Sequence, residues 1–341
     1  MSVTVGAGSP RRRRSCASGD WYDGGAVPKP LLGGLLAPAP LFLPGACYSS
    51  RMPAPEPNGL RRPGRKGTRM ATAAARVWAI ADIVDLGRYP IAHLAAARAR
   101  RLVEDCRREL AARGACQLPG FMRPEAVQAV VDEAGALGHL AHRTEAAHNV
   151  YFTEAAPGLA AGDPRRWQVH SAKGAIGWNR IGPGSPLRRL YEWDGLTEFL
   201  RVALALPVLY RDADSVGACS IMVYGQGDEL GWHFDNSEFA VTLMLQTSKS
   251  GGSFEFVPRI REAGDERRDA VGRLLAGAGD GILAMDGRPG TLALFAGRHS
   301  IHRVTPIQGR TPRVNAVLAY AQEPGHRLTP LNRELFYGQS G

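Results

Sequence analysis

Past residue 206 the chain consists of short apolar or alternating runs, none longer than eight residues, cut apart by Gly, Pro and Asp. They are Ser220 to Tyr224, Phe239 to Gln246, Phe254 to Val257, Ile282 to Ala284, Thr291 to Phe295, His302 to Ile307 and Val314 to Tyr320. Runs this short cannot supply the three or four turns of a packed helix, and their punctuation is that of strands in an all-β unit. Upstream the period changes. Pro90 stands at a helix start, Leu94, Leu102, Cys106 and Leu110 follow in one stripe, and Gly114 closes it. Pro124 to Leu137 reads as a second helix with Val127, Val130, Val131 and Ala134 on one side, and Leu187 to Ala205 as a third. The charged loop Arg259 to Gly281 is expected to be partly helical. The fold class expected is mainly β with flanking helices (α+β), a sandwich or barrel core buttressed by N-terminal helices.

Charge divides the chain. Of its 341 residues, 42 are Lys or Arg and 32 Asp or Glu, a formal net charge of +10. Residues 1–69 alone hold eleven of the basic side chains, three of the acidic ones, 11 Gly and 10 Pro. A segment of that composition buries too little apolar surface to offset its ordering entropy. It reads as a disordered tail, as a targeting peptide, or as sequence upstream of a true start at Met70. The boundaries expected are a tail over 1–76 and a folded domain over 77–341, with the β core at about 206–323. The nearly neutral body argues against a nucleic-acid partner, since phosphate binding needs basic side chains gathered on the folded surface. No apolar run reaches the roughly 18 residues a membrane span needs. Cys16, Cys47, Cys106, Cys116 and Cys219 include no C-x-x-C pair, which fits neither zinc nor a disulfide scaffold. A cytoplasmic location follows, or an organelle if the tail is a transit peptide. The oligomeric state is left open.

The chemistry gathers around Trp232-His233-Phe234-Asp235. On an extended strand His233 and Asp235 face the same way, and His302 follows the apolar run Thr291 to Phe295. Two imidazoles and one carboxylate on one side of a barrel make a facial triad, a donor set suited to non-haem Fe(II) with positions left open for oxygen. Arg310 and Arg313 lie downstream, where a guanidinium can pair bidentately with the distal carboxylate of a keto acid. By spacing alone, a turn acid, a strand-capping histidine and a surface ion pair explain these residues equally well.

The order of motifs from Gly231 to Tyr320, namely H-x-D, G-G-x-F, P-G-x-L-x-L-F, H-R-V-x-P and G-x-x-x-R, resembles the double-stranded β-helix (jelly-roll, cupin-like) core of the Fe(II)/2-oxoglutarate-dependent oxygenases. Gly231-Trp-His-Phe-Asp-Asn236, His302-Arg-Val-Thr-Pro306, Phe336-Tyr-Gly338, His148-Asn-Val-Tyr-Phe152 and Leu190-Tyr-Glu-Trp193 resemble more closely the branch of free-amino-acid radical halogenases and related hydroxylases. The likeness spans roughly residues 77–341. It implies His233, Asp235 and His302 as iron ligands, Arg313 as the partner of 2-oxoglutarate with Arg310 as second choice, and O2 as co-reactant. Tyr224 is a further candidate for the 2-oxoglutarate site. One departure matters: the branch's halogenases have a small residue where this chain has Asp235, leaving room for chloride. With the carboxylate present, hydroxylation is expected and chlorination is not.

The resemblance implies a small-molecule substrate, a free amino acid. Glu229, Asn236 and Asp214 are candidates to hold its ammonium group, against the alternative of solvated loop acids. His148, Asn149 and Tyr151 alternate with apolar Val150 and Phe152 as a half-buried strand would, and either line the pocket or serve core hydrogen bonding. A peptide hydroxylase on the same core, a halogenase-like relative and a non-catalytic module are the competing readings.

Overall fold

The computed structural model describes residues 76–153, 158–160 and 162–339, so the tail read from composition lies, except for Arg76, outside the described residues. The first half of the domain interleaves helices and strands. They are α1 (Ala97–Arg113), β1 (Ala115–Leu118), α2 (Pro124–Leu137), β2 (His142–His148), β3 (Val169–Ile176), α3 (Pro186–Tyr191) and α4 (Asp194–Ala203). The second half is β4 (Cys219–Tyr224), β5 (Glu229–His233), β6 (Ala240–Gln246), β7 (Phe254–Val257), α5 (Arg268–Leu275), β8 (Leu283–Ala284), β9 (Leu292–Phe295), β10 (Ile301–Val304) and β11 (Arg313–Leu318), closed by α6 (Pro330–Tyr337).

The strands pair in the order β1-β9-β6-β11-β4-β3-β5-β10-β7-β8, with β2 alongside β3. Every pair is antiparallel. From β4 onward the chain repeatedly crosses between two halves of this path, β4, β6, β9 and β11 on one side and β5, β7, β8 and β10 on the other. That alternation makes a double-stranded β-helix. β3 joins the halves, pairing Ile176 with Ile221 of β4 and Ser171 with Leu230 of β5.

Period-two alternation fixes what each face carries. Val314, Ala316 and Leu318 of β11, Val241, Leu243 and Leu245 of β6, and Leu292 and Leu294 of β9 all join one buried cluster. The helices supply Val127, Val130, Leu190, Leu196 and Phe199 to the same cluster, so they seal the outer face of the first sheet. The intervening residues, Arg313, Asn315 and Val317 or Ala240 and Thr242, point the other way and line an interior cavity.

Several boundaries differ from those expected. α1 begins at Ala97 and not at Pro90, because Pro90 to Ala96 form turns; its buried stripe is Ala99, Val103 and Cys106. Gly114 does end it, in the left-handed region at φ 67°. The third helix breaks in two at Glu192 and Trp193, where the Trp193 backbone is extended and caps α4. The run from His302 to Ile307 splits into β10 and a separate pairing of Ile307–Gln308 with Ser250–Gly251. The sheet also starts before the expected core, since β1, β2 and β3 all belong to it. No helix among the described residues is long and apolar enough to cross a membrane.

Candidate metal centre and cavity

His233 is the last residue of β5 and His302 the second of β10, and the register places them directly opposite each other. Asp235 follows just beyond the end of β5, where its N–H donates to the Gly297 carbonyl (3.2 Å). One donor atom from each of the three lies within 4.8 Å of the others. Asp235 Oδ1 is 3.5 Å from His302 Nε2 and 3.8 Å from His233 Nε2. A side chain at Gly297 would overlap the Asp235 carboxylate, so glycine there makes its space.

The imidazoles are held from behind. Nδ1–H of His233 donates to the Gly231 carbonyl (2.8 Å) and Nδ1–H of His302 to the Ser300 carbonyl (3.0 Å). A carbonyl can only accept, so Nδ1 carries the proton in each ring and the Nε2 lone pairs face one another. Phe254 stacks on His302 and Phe295 meets it edge-on, at centroid separations of 5.4 and 4.8 Å. Burial, and then His302, hold the His233 pKa well below its ordinary value. Burial on its own would raise that of Asp235, but His302, His233 and Lys173 bring it down to about 2. Two neutral imidazoles, one carboxylate and a shared focal point fit a divalent first-row metal that keeps open positions.

The same residues wall a cavity of about 270 Å³ between the sheets. Arg313, the first residue of β11, projects into it from the far side, 4% exposed. Its Nη1 donates to Asn315 Oδ1, its guanidinium lies 5.3 Å from the Tyr224 ring, and its Nε is buried without a hydrogen-bond partner among the described residues. Burial lowers its pKa. A buried guanidinium with an unpaired N–H facing a cavity is what a bidentate carboxylate would complete. Arg310, in contrast, is exposed in the turn before β11 and is not part of the cavity wall.

The proposed substrate residues scatter. Glu229 lies four residues before His233, and between them β5 carries a bulge: Leu230 to His233 spans the same length as His302 to Val304. The extra residue reverses the faces, so Leu230 lines the cavity and Glu229 turns outward to His170 Nδ1 (3.0 Å). Gly231 lies within the bulged stretch, where a Cβ would come 2.7 Å from the His170 carbonyl. Asp214 is wholly buried elsewhere, accepting from the N–H groups of Val216, Gly217 and Leu328 and from Arg333 Nε. Asn149 is no strand residue. It lies past the end of β2 and fixes the following turn, its Oδ1 accepting from the Tyr151 and Thr153 N–H groups. His148 ends β2, its ring 6.4 Å from that of His233 and its Nε2 2.7 Å from Ser171 Oγ. Tyr151 and Asn236 sit on the opposite side of Asp235, lining an outer cleft with Arg261 and Arg268. Burial raises the Tyr151 hydroxyl to about 12.

Phe336 and Tyr337 of α6, from the Phe336-Tyr-Gly338 motif, also line the cavity, and three residues not singled out from sequence complete it: Lys173 and Ala175 of β3 and Asn315 two places after Arg313. Asn315 was available from alternation along β11; Lys173 and Ala175 come from a segment whose sequence gives no strand signal.

A family model described as Halogenase D matches residues 98–331. No curated protein matches the chain. Among solved structures, a 2OG-Fe(II) oxygenase family oxidoreductase from Burkholderia pseudomallei superposes with a TM-score of 0.41 at 17% identity, covering 66% of this chain and 92% of that one. AviO1 from Streptomyces viridochromogenes gives 0.45 at 14% identity, covering 65% and 96%. A prolyl-4-hydroxylase from Pseudomonas putida gives 0.39 at 14% identity, covering 63% and 97%.

Proposed function

This chain belongs to the Halogenase D family, within the Fe(II)/2-oxoglutarate oxygenases, and on that premise we propose that it is a hydroxylase of a small molecule, a free amino acid. The observation that carries the reaction type is Asp235. Its carboxylate stands within 4 Å of both imidazoles, at the position where a halogenase of this branch needs room for chloride.

In this reading His233, Asp235 and His302 hold iron, with Asp235 ionised and both imidazoles neutral. Iron and 2-oxoglutarate, when bound, supply the oxidising power to break an unactivated C–H bond with O2. The rest is the work of the chain. The Gly231 and Ser300 carbonyls keep both Nε2 atoms aimed inward. Arg313, oriented by Asn315 and covered by Tyr224, receives the distal carboxylate of 2-oxoglutarate. Phe254 and Phe295 shield the His302 side from water, while Phe336 and Tyr337 close part of the opposite wall. An interior cavity of about 270 Å³ suits a small molecule better than a peptide.

The test is succinate release from Fe(II), 2-oxoglutarate and O2 across a panel of free amino acids, with mass analysis of the product. Stimulation by an amino acid with gain of one oxygen is the expected result. Stimulation only by peptides would move the substrate class, and a chlorinated product from the wild-type chain would overturn the role given to Asp235. Asp235→Gly is expected to stop hydroxylation; full activity in that variant would remove Asp235 from the ligand set.

A further inference from the structure

The cavity holds one cation more than the proposed function uses. Among its described lining residues the charged groups are Arg313, Asp235 and Lys173. In the proposed function Arg313 would be matched by a carboxylate of 2-oxoglutarate, and Asp235 would serve the metal. Lys173 has no such counterpart. It lies on β3, opposite Thr144 of β2, in the stretch where β3 passes from β4 to β5. It shares its face with Ala175, which also lines the cavity, and it is half-buried. Among the described residues it makes neither a hydrogen bond nor an ion pair.

The walls around it are largely apolar, from Met222, Leu230, Val304 and Phe336. An ammonium that lines such a cavity with no partner of opposite charge is available to an anionic ligand. The nearby residues once considered for a substrate ammonium do not reach this space, since Glu229 pairs with His170 and Asp214 with Arg333. The cavity is therefore built to receive negative charge.

We infer that Lys173 is a substrate-binding residue that takes a carboxylate of the substrate, one distinct from the carboxylates of 2-oxoglutarate. This rests on the oxygenase reading and names the residue that would hold the carboxylate of its free amino acid. Lys173 precedes Gly174, which pairs with Val223 of β4, and the next β4 residue, Tyr224, pairs with Arg313 of β11, so the two cations stand two strands apart on one wall of the cavity. Lysine at this position provides one point charge on a flexible stem, which fixes a single carboxylate without demanding a planar fork geometry.

The experiment is anaerobic calorimetry on the full chain loaded with Fe(II) and 2-oxoglutarate, titrated with free amino acids, each paired with its carboxamide. At least one amino acid is expected to bind, and its carboxamide at least tenfold more weakly. Lys173→Met should weaken the acid by about 10- to 100-fold, the loss of one charge-assisted contact, and bring acid and amide level. Lys173→Arg should retain most of the affinity. The affinity for 2-oxoglutarate, measured on the same proteins, should stay unchanged in both variants, which also shows that they fold. Equal binding of acid and amide by the wild type overturns the inference. So does a Lys173→Met variant that loses 2-oxoglutarate and not the amino acid, or a panel in which nothing binds. Failure of the oxygenase reading would show separately, as no 2-oxoglutarate binding by the wild type, and would end this inference with it.

Discussion

Two aspartates, Asp214 buried ahead of β4 and Asp235 half-buried just past the end of β5, separate structure from chemistry. Asp214 is surrounded by donors. Val216, Gly217 and Leu328 each offer an N–H and Arg333 its Nε, at 2.7 to 3.1 Å, and the side chain has no exposure. Through Leu328 and Arg333 it ties the start of the β core to α6. Asp235 is held in place by its backbone, yet its carboxylate faces only two imidazole nitrogens whose lone pairs also need a partner. Both acids have lowered pKa values, so the shift does not tell them apart. What differs is satisfaction. A saturated carboxylate holds the fold, and a cluster of acceptors aimed at one point calls for a cation.

The largest effects should fall on opposite properties at the two sites. Asp235→Gly is expected to lower succinate formation by about 10³-fold or more, with the thermal unfolding midpoint nearly unmoved. Asp214→Ala should do the reverse. Leaving Arg333 and three N–H groups without their acceptor costs about 3–5 kcal/mol, read as a lower denaturant midpoint, while the folded fraction still binds Fe(II). A variant of Asp214 that keeps full stability and loses metal would break the contrast.

The sequence reading placed some of this and missed some, for identifiable reasons. β7 runs from Phe254 to Val257 and α2 from Pro124 to Leu137, as read, because bulky apolar residues at the matching period and a proline at the helix start leave little freedom. The three candidate donors were legible from motif order, and in the structure they converge. β2 and β3 were not legible. His142 to His148 contains no large apolar residue, and it is a strand only because β3 and α6 pack on it. Lys173 was hidden with them. Glu229, four residues before His233, turns away from the cavity because one bulged residue reverses every face beyond it. Asp214 was read as a candidate for the substrate ammonium or a solvated loop acid, since nothing local announces Arg333, well over a hundred residues away.

A smaller effect sharpens the cavity side of the comparison. Arg313→Met should raise the KM for 2-oxoglutarate about 10- to 100-fold, the range for losing a charge-assisted pair, whereas Arg310→Met, altering an exposed turn, should leave it unchanged. Equal effects from both would place the cosubstrate elsewhere.

The smallest effect expected is a pH dependence at Asp214. Burial by itself would raise its pKa, but the N–H groups of Gly217 and Val216, and then Arg333, outweigh burial and hold it below the ordinary 3.8. A carboxyl group whose pKa is lower folded than unfolded binds its proton more readily in the unfolded chain. Its stabilising contribution is therefore complete above the unfolded value and fades as the pH falls through the folded one. Denaturant unfolding of the wild type and of Asp214→Ala, compared at pH 7 and at pH 3, should show the gap between them narrowing at the acid end. A gap that is constant with pH would mean that packing around Arg333 and α6, and not the charge on Asp214, makes the tie.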